Sequence, residues 1–381
     1  MKNRFDKRVF GAVLIKSELA NYNADFTGSP RTLPNGVVYA TDKALKYAIR
    51  NYLKHNGELI FYTTRYKKEN MQPLDIDETY EELFGNYPEK KEIKKNKNEK
   101  EDKYFERIKK EVEESLNKGY EKVLSLNHNY LLKKEENGKL KFLIIGQKPD
   151  DIKRIPILQN LFKAIDIRFF GVTFASKEGN LSIHGNIQIT HGINIYPENN
   201  IFTEDITSPF RNPNEKSESS QQTSIGNQTI LEEGHYLHNF TINPKNSEEL
   251  VELIGNQGYL TDEDIEKFKE AINRGVSYYD SASKVGVENE FSIFVTLNQN
   301  EKIQLPLFTP LIKVKNQENS LKRKLNLSDL KKLLDKVSDR IEKVEIFMDE
   351  TKLDCDDEIF AIPKVCVKSI VSNRELKKCQ E

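Results

Sequence analysis

The sequence predicts an α+β protein whose core follows the ferredoxin or RNA-recognition-motif (RRM) topology and carries two long insertions. Three observations lead there. Strand-like and helix-like segments open in the order strand, loop, helix, strand, and a long alternating strand follows further on. A segment over 67–138 is too charged for a core, and a polar one over 197–233 is too long for an ordinary hairpin connection. With 381 residues, 37% hydrophobic and 31% charged, the chain can bury an elaborated core beneath an unusually ionic surface.

Residues 8–16 are apolar between Arg8 and Lys16 and read as a buried strand. Asn21, Asn23, Gly28, Pro30, Pro34 and Gly36 then mark a long loop ending at Thr41, an N-cap residue. In the helix that follows, Ala44, Leu45, Ala48, Ile49, Tyr52 and Leu53 form an apolar stripe, while Lys43, Lys46, Arg50 and Lys54 share another face. Residues 58–66 read as a second strand. Between 89 and 114 roughly three quarters of the residues are charged, so 67–138 reads as solvated helix and loop. Asn137-Gly138 predicts a hairpin turn into a strand over 140–145.

A short helix near 155–165 leads to a strand over 166–174, in which Phe169 and Phe170 point to opposite faces. A period of two from Ile183 to Ile195 predicts one long strand with a polar face and with His191 among its apolar positions, as a core histidine. Further strands are expected over 234–242, 291–297, 303–308, 344–348 and 362–367. Helices are expected from the Thr261 cap to Arg274, with Gly275 as terminator, and over 329–344.

Several chemistries are disfavoured. There is no Walker loop, dinucleotide glycine fingerprint, nucleophile elbow or HExxH helix. His235 and His238 fall on opposite faces of a strand, and the acidic run Asp354, Asp356, Asp357, Glu358 lacks ligand spacing and reads as a solvated loop. No metal, no other cofactor and no catalytic residue is expected. Three cysteines, an odd number without metal-ligand spacing, argue against a disulfide framework and for a reducing cytoplasm. No signal-peptide pattern or membrane-length apolar stretch is present, so a cytoplasmic protein is expected. The net charge is -1, yet residues 1–70 hold 13 Lys and Arg against 6 Asp and Glu, enough for one side of a polyanion groove.

Taken in order, these motifs resemble the CRISPR-associated Cas-seven (DevR-type) family, the backbone subunit of type I Cascade, most like its I-B branch. The resemblance rests on Asn21-Tyr22-Asn23-Ala24-Asp25, on Pro30-Arg31 and on Thr41-Asp42-Lys43-Ala44-Leu45-Lys46 continuing to Leu53. It extends through Asp166-Ile167-Arg168-Phe169-Phe170-Gly171, Gly185-Asn186-Ile187-Gln188, Ile206-Thr207-Ser208 and Ala271-Ile272-Asn273-Arg274-Gly275. It implies an RRM-like palm (1–66, 139–196 and 234–381), a charged helical finger insertion (67–138) and a long β-hairpin thumb (197–233). The implied partners are CRISPR RNA (crRNA), the target DNA paired to it, neighbouring copies of the chain and other Cascade subunits of the Cas-five, Cas-six and Cas-eight types.

A subunit that grips any spacer must use phosphate, ribose and shape. Lys43, Lys46 and Arg50 suit phosphates, and the resemblance adds Asn21, Asn23, Arg31, Arg168, Phe169, Arg274 and Lys284. In the thumb, Ile206, Thr207, Ser208, Phe210 and Arg211 would wedge between bases or meet a neighbouring copy. Arg168 has a structural alternative as an ion-pairing residue, and either Phe169 or Phe170 belongs in the core. Two other functions compete: target-RNA cleavage through Asp25 and a divalent metal, as in type III relatives, and a protein scaffold without nucleic acid.

Overall fold

The computed structural model describes residues 3–207, 224–355 and 361–377. The chain forms two compact units, one of Met1–Gly57, Ile187–Pro244 and Thr261–Glu381, the other of Glu58–Asn186 and Lys245–Leu260. Among the described residues no helix is long and apolar enough to cross a membrane.

The first unit is built on strands Val9–Ala20, Ser224–Ile242 and Val287–Leu297, with the short strands Ile187–Ile189 and Gly192–Asn194. Their order across the sheet is 287–297, 9–20, 224–242, 187–194, all antiparallel, with helices Asp42–His55 and Asp262–Arg274 between them in the chain. Numbered along the chain the strands lie 4-1-3-2, the expected ferredoxin-type arrangement. Strand 9–20 is buried nearly throughout because both its faces are covered. On one face Phe268 of helix 262–274 meets the rings of Phe240 and Phe294. On the other, Phe10, Ala12, Leu14, Ile293 and Val295 share a core with Val314, Leu325, Leu330 and Leu334 of the C-terminal segment. Gly11 makes the first packing possible, since a Cβ there would come within 2.2 Å of the Phe240 ring.

Strand 224–242 is longer than expected. Its N-terminal part pairs with Ile201–Thr207, from Ile201 opposite Leu231 to Thr207 opposite Ser224. Within the polar 197–233 segment, strand 201–207 and the first part of strand 224–242 thus pair and prolong a core strand, and Ser208, Phe210 and Arg211 lie outside the described residues.

The second unit holds a sheet ordered Glu89–Glu92, Lys139–Gly146, Asn129–Glu136, Glu121–Leu126. Helix Glu101–Asn117 presents Tyr104, Ile108 and Val112 inward, and Val112 packs with Leu132 and Ile145 of the sheet. The charged insertion is thus helix and sheet together. Strand 139–146, assigned from sequence to the core, pairs inside it with 129–136.

Four further expectations fail for identifiable reasons. Residues 58–66 form no strand because the Asp166 carboxylate accepts the Phe61 and Tyr62 N–H groups at 2.8 and 2.9 Å, while Arg65 binds the carbonyls of Ile60 and Phe61. Residues 166–174 divide into helix Ile165–Phe170 and strand Gly171–Ser176 at Gly171, whose φ of 71° suits glycine. The alternation over 183–195 is cut into strands Gly179–His184, Ile187–Ile189 and Gly192–Asn194; the break at Asn186 is fixed by its amide on the Arg168 carbonyl and by the Ser247 hydroxyl it accepts. Residues 303–308 are not a strand; the Phe308 N–H goes to the Asn239 side chain at 2.7 Å. Cys366 is disulfide-bonded, a single bond where the sequence argued against a disulfide framework.

Candidate nucleic-acid interface

The loop before helix 42–55 is held by side chains acting on backbone. Asn21 is buried, and its amide donates to the Gly28 carbonyl at 3.0 Å and the Thr229 carbonyl at 3.3 Å, tying the loop to the hairpin strand. Its Oδ1 is buried without a partner. Asn23 Oδ1 accepts both the N–H and the hydroxyl of Thr41, at 2.9 and 3.0 Å, and Thr41 in turn caps the Ala44 N–H. Lys284 donates to the carbonyls of Asn21 and Tyr22 at 2.6 and 2.8 Å, and burial pushes its pKa down. These three residues shape the loop, and two of them, Asn21 and Lys284, direct their polar groups inward.

Asp25 heads a tight turn. Its Oδ1 accepts the Thr27 hydroxyl at 2.7 Å, the Thr27 N–H at 2.8 Å and the Ser29 N–H at 3.1 Å. The Thr27 hydrogen bonds hold its carboxyl below the usual range, with Ser29 and the Arg31 charge adding to them. That turn displays Phe26, a fully exposed aromatic ring, which sequence reasoning missed. No group of three or more His, Cys, Asp or Glu side chains able to hold a metal occurs among the described residues.

Of the helix cations, Lys43 is 81% exposed and contacts Asp42 at 3.2 Å. Lys46 is largely covered and bonded to Asp42 at 3.0 Å, and Arg50 is partly buried. Burial would raise the Asp42 pKa, but Lys46 and Lys43 outweigh it and keep the carboxylate ionised. His191 is no core histidine: its ring is half exposed, and Nδ1 accepts the Asp42 N–H at 3.2 Å. Arg31 differs from its neighbours. Its guanidinium makes no hydrogen bond or ion pair among the described residues, and its Nε is shut off from solvent.

The remaining candidates are distributed elsewhere. In the second unit, Arg168 donates to the carbonyls of Phe162 and Lys163 at 2.9 and 3.0 Å. Phe169 is fully buried, packed edge to face on Phe170, with no ring face left for a base. In the first unit, Arg274 contributes to a Tyr52–Glu270 cluster in which the Tyr52 hydroxyl donates to Glu270 at 2.8 Å. Ile206 is exposed on the hairpin opposite Gly226, and Thr207 follows after a register shift. His235 and His238 have separate surroundings, as their spacing implies: His235 lies between Glu290 and Glu233, whereas His238 meets the Tyr22 hydroxyl and the Thr190 carbonyl.

Beside the loop, helix 42–55 and the segment after helix 262–274 enclose a cleft of about 180 Å³ lined by Asn23, Ala44, Tyr47, Val276, Tyr279 and Lys284 among others.

The first unit's 4-1-3-2 sheet, its cation-bearing helix 42–55 and the hairpin strands that prolong a core strand define an α+β protein of the ferredoxin type. The family described as CRISPR-associated protein Cas7 matches residues 2–335, and the chain belongs to that family. Among solved structures, a chain of "CRISPR RNA-guided surveillance complex, pre-nicking" is 11% identical with a TM-score of 0.47, covering 96% of this chain and 97% of that one. A chain of "CRISPR RNA-guided surveillance complex" is 10% identical with a TM-score of 0.44, covering 93% and 96%. No match was found among curated proteins.

Proposed function

We propose that the chain is a non-catalytic, crRNA-binding backbone subunit of a type I Cascade, of the I-B kind, several copies of which line up along the spacer and support its pairing with target DNA. Membership of the Cas7 family carries this reading. In it the ferredoxin-type sheet with its helices is the palm, the four-stranded insertion supplies the fingers, and the hairpin around 201–231 is the thumb. Other Cascade subunits and neighbouring copies complete the particle.

The local chemistry supports contacts independent of sequence. Arg31 carries donors without an acceptor, Lys43 extends into solvent, and the Asp25 turn holds Phe26 outward, which suits phosphate binding and stacking. Asn21, Asn23 and Lys284 act at one remove, by fixing the loop. The test is to produce the protein with a crRNA and measure absorbance ratio and particle mass. A ribonucleoprotein whose protein copy number rises with spacer length is expected; a monomer free of RNA would sink the proposal.

A further inference from the structure

Strand 224–242 changes character along its length. Its C-terminal part lies between strand 9–20 and the short strands over 187–194, and the last pair with strand 9–20 is Ala20 opposite Leu231. From Leu231 back to Ser224 its described strand neighbour is 201–207. Among the described side chains of this ribbon only Ile230 and Leu231 are buried, while Ile201, Phe202 and Ile206 are exposed. A two-stranded ribbon without a core of its own is marginal in water, so its direction is set at its foot. The ribbon is about 24 Å long at 3.4 Å per residue, and a tilt of about 10° at the foot would move its tip by about 4 Å.

One turn of the C-terminal segment holds both legs of the ribbon. Residues 316–322 join strands Lys313–Lys315 and Arg323–Asn326, whose Val314 and Leu325 lie in the core. The turn is itself fixed, since the Arg323 N–H donates to the Lys352 carbonyl at 2.9 Å and the Lys322 ammonium to the Glu350 carbonyl at 2.8 Å. From it, Arg323 Nε reaches Glu233, which follows the second ribbon strand, at 2.7 Å. Asn316 donates to Glu198, which precedes the first ribbon strand, at 3.2 Å, and accepts the Tyr196 hydroxyl at 2.6 Å. Between these grips lies a space of about 290 Å³ lined by Asn200, Glu232 and Gln317 among others, so polar contacts and not apolar packing bridge the angle between turn and ribbon. We propose that residues 316–323 are a latch that sets the angle of the hairpin to the sheet, with Arg323 and Asn316 as its positioning residues. A latched hairpin is a preorganised contact element: a partner meets Ile201, Phe202 and Ile206 already in place, and the cost of ordering them does not fall on that contact. The latch acts without RNA, so its outcome is separate from that of the RNA-binding reading.

The test places nitroxides, through p-acetylphenylalanine, at the exposed positions Phe202 on the ribbon and Leu307 beside the sheet, and reads their separation by pulsed electron paramagnetic resonance on the full chain without RNA. The parent should give one narrow distance distribution. Arg323→Ala combined with Asn316→Ala should broaden it about twofold or more, and Asn316→Ala alone by less, while amide exchange over 201–207 stays as in the parent. Asn316 is exposed, so its single variant decides the matter if the double variant does not fold. An unchanged distribution in the variants overturns the latch, as does a parent already as broad as the double variant. Faster amide exchange across the ribbon in the variants overturns it too, because the contacts would then hold the two strands together and not set their angle.

Discussion

The segment densest in charge, 89–114, and the segment that carries the proposed phosphate contacts, 21–55, hold their cations differently. Over 89–114, Lys90 bonds Asp150 and Glu178 at 3.2 and 2.9 Å, Lys91 bonds Glu111, and Arg107 bonds Glu99 at 2.8 Å. Over 21–55 there are fewer cations; the Arg31 guanidinium makes no hydrogen bond or ion pair among the described residues, and Lys43, although 3.2 Å from Asp42, is 81% exposed. A cation already held by a carboxylate must be pulled from it before it can neutralise a phosphate, so its electrostatic gain is largely spent. Lys94, Lys97, Lys100, Lys103, Lys109 and Lys110 of the charge-dense segment also make no ion pair among the described residues, so the contrast holds between Lys90, Lys91 and Arg107 on one side and Arg31 and Lys43 on the other, and not between the two segments as wholes.

The contrast breaks furthest at the foot of the hairpin, where charges are both paired and buried. His235 is fully buried, with Nδ1 at 2.6 Å from Glu290 and Nε2 at 3.0 Å from Glu233, and Arg323 grips Glu233 at 2.7 and 2.5 Å. Burial opposes the imidazolium, but Glu290 and Glu233 outweigh it and hold the His235 pKa above its usual value. Glu233 is held down to about 2, its hydrogen bonds to His235 and Arg323 outweighing burial. His235→Ala would leave Glu290 buried without its partner, at a cost of about 3 to 5 kcal/mol, the largest effect expected in the first unit. The signs with pH follow from linkage. The stability from His235 is complete below its unfolded pKa of about 6.5 and is lost as pH rises through the higher folded value; that from Glu233 is complete above about 4.5 and is lost as pH falls toward 2. Thermal unfolding should show the wild type losing stability as the pH rises above about 6.5, with a flatter profile in His235→Ala. Equal slopes for the two proteins would show that His235 is not charged in the fold.

The next effect concerns the available cations. Arg31→Ala combined with Lys43→Ala should weaken single-stranded RNA binding about tenfold at low salt and reduce the slope of log affinity against log salt by about 1.4, near 0.7 per lost contact. Filter binding over a potassium chloride series measures both. A weaker affinity with an unchanged slope would mean that the pair shapes the loop and touches no phosphate.

What could be seen in the sequence was local or periodic. The stripe Leu45, Ala48, Ile49, Tyr52, Leu53 and the Thr41 and Thr261 caps recur in the structure, since each depends on neighbours within one or two turns. The ferredoxin-type topology was expected too, although its core as read from the sequence includes 58–66, which forms no strand, and 140–145, which pairs inside the second unit. What stayed hidden depended on partners distant in sequence. Asp166 takes the N–H groups that a strand over 58–66 would have used, and the alternating residues 183–195 pass from one unit to the other at Asn186. Among site residues, Asn21 and Lys284 have the right chemistry for RNA but are drawn inward by backbone groups, and Phe169 is consumed by the core. Phe26 escaped notice for the opposite reason: aromatic residues are usually buried, and only the Asp25 turn holds this one out.

The smallest effect is expected where charge is densest. In the insertion, Lys91→Ala with Arg107→Ala removes two cations, as the double variant of the loop and helix does, so the two variants differ in placement and not in net charge. Lys91 and Arg107 are each about half exposed and paired, so the loss of stability should stay below about 1 kcal/mol per pair. Freeing Glu111 and Glu99 would add a weak, screened repulsion, and RNA affinity should remain within about twofold of wild type at physiological salt. The decisive comparison is between the two double variants in one titration series. If the insertion variant loses as much affinity and salt slope as Arg31→Ala with Lys43→Ala, then ion pairing inside the insertion gives way when RNA arrives, and internal pairing does not separate structural from binding charge in this protein.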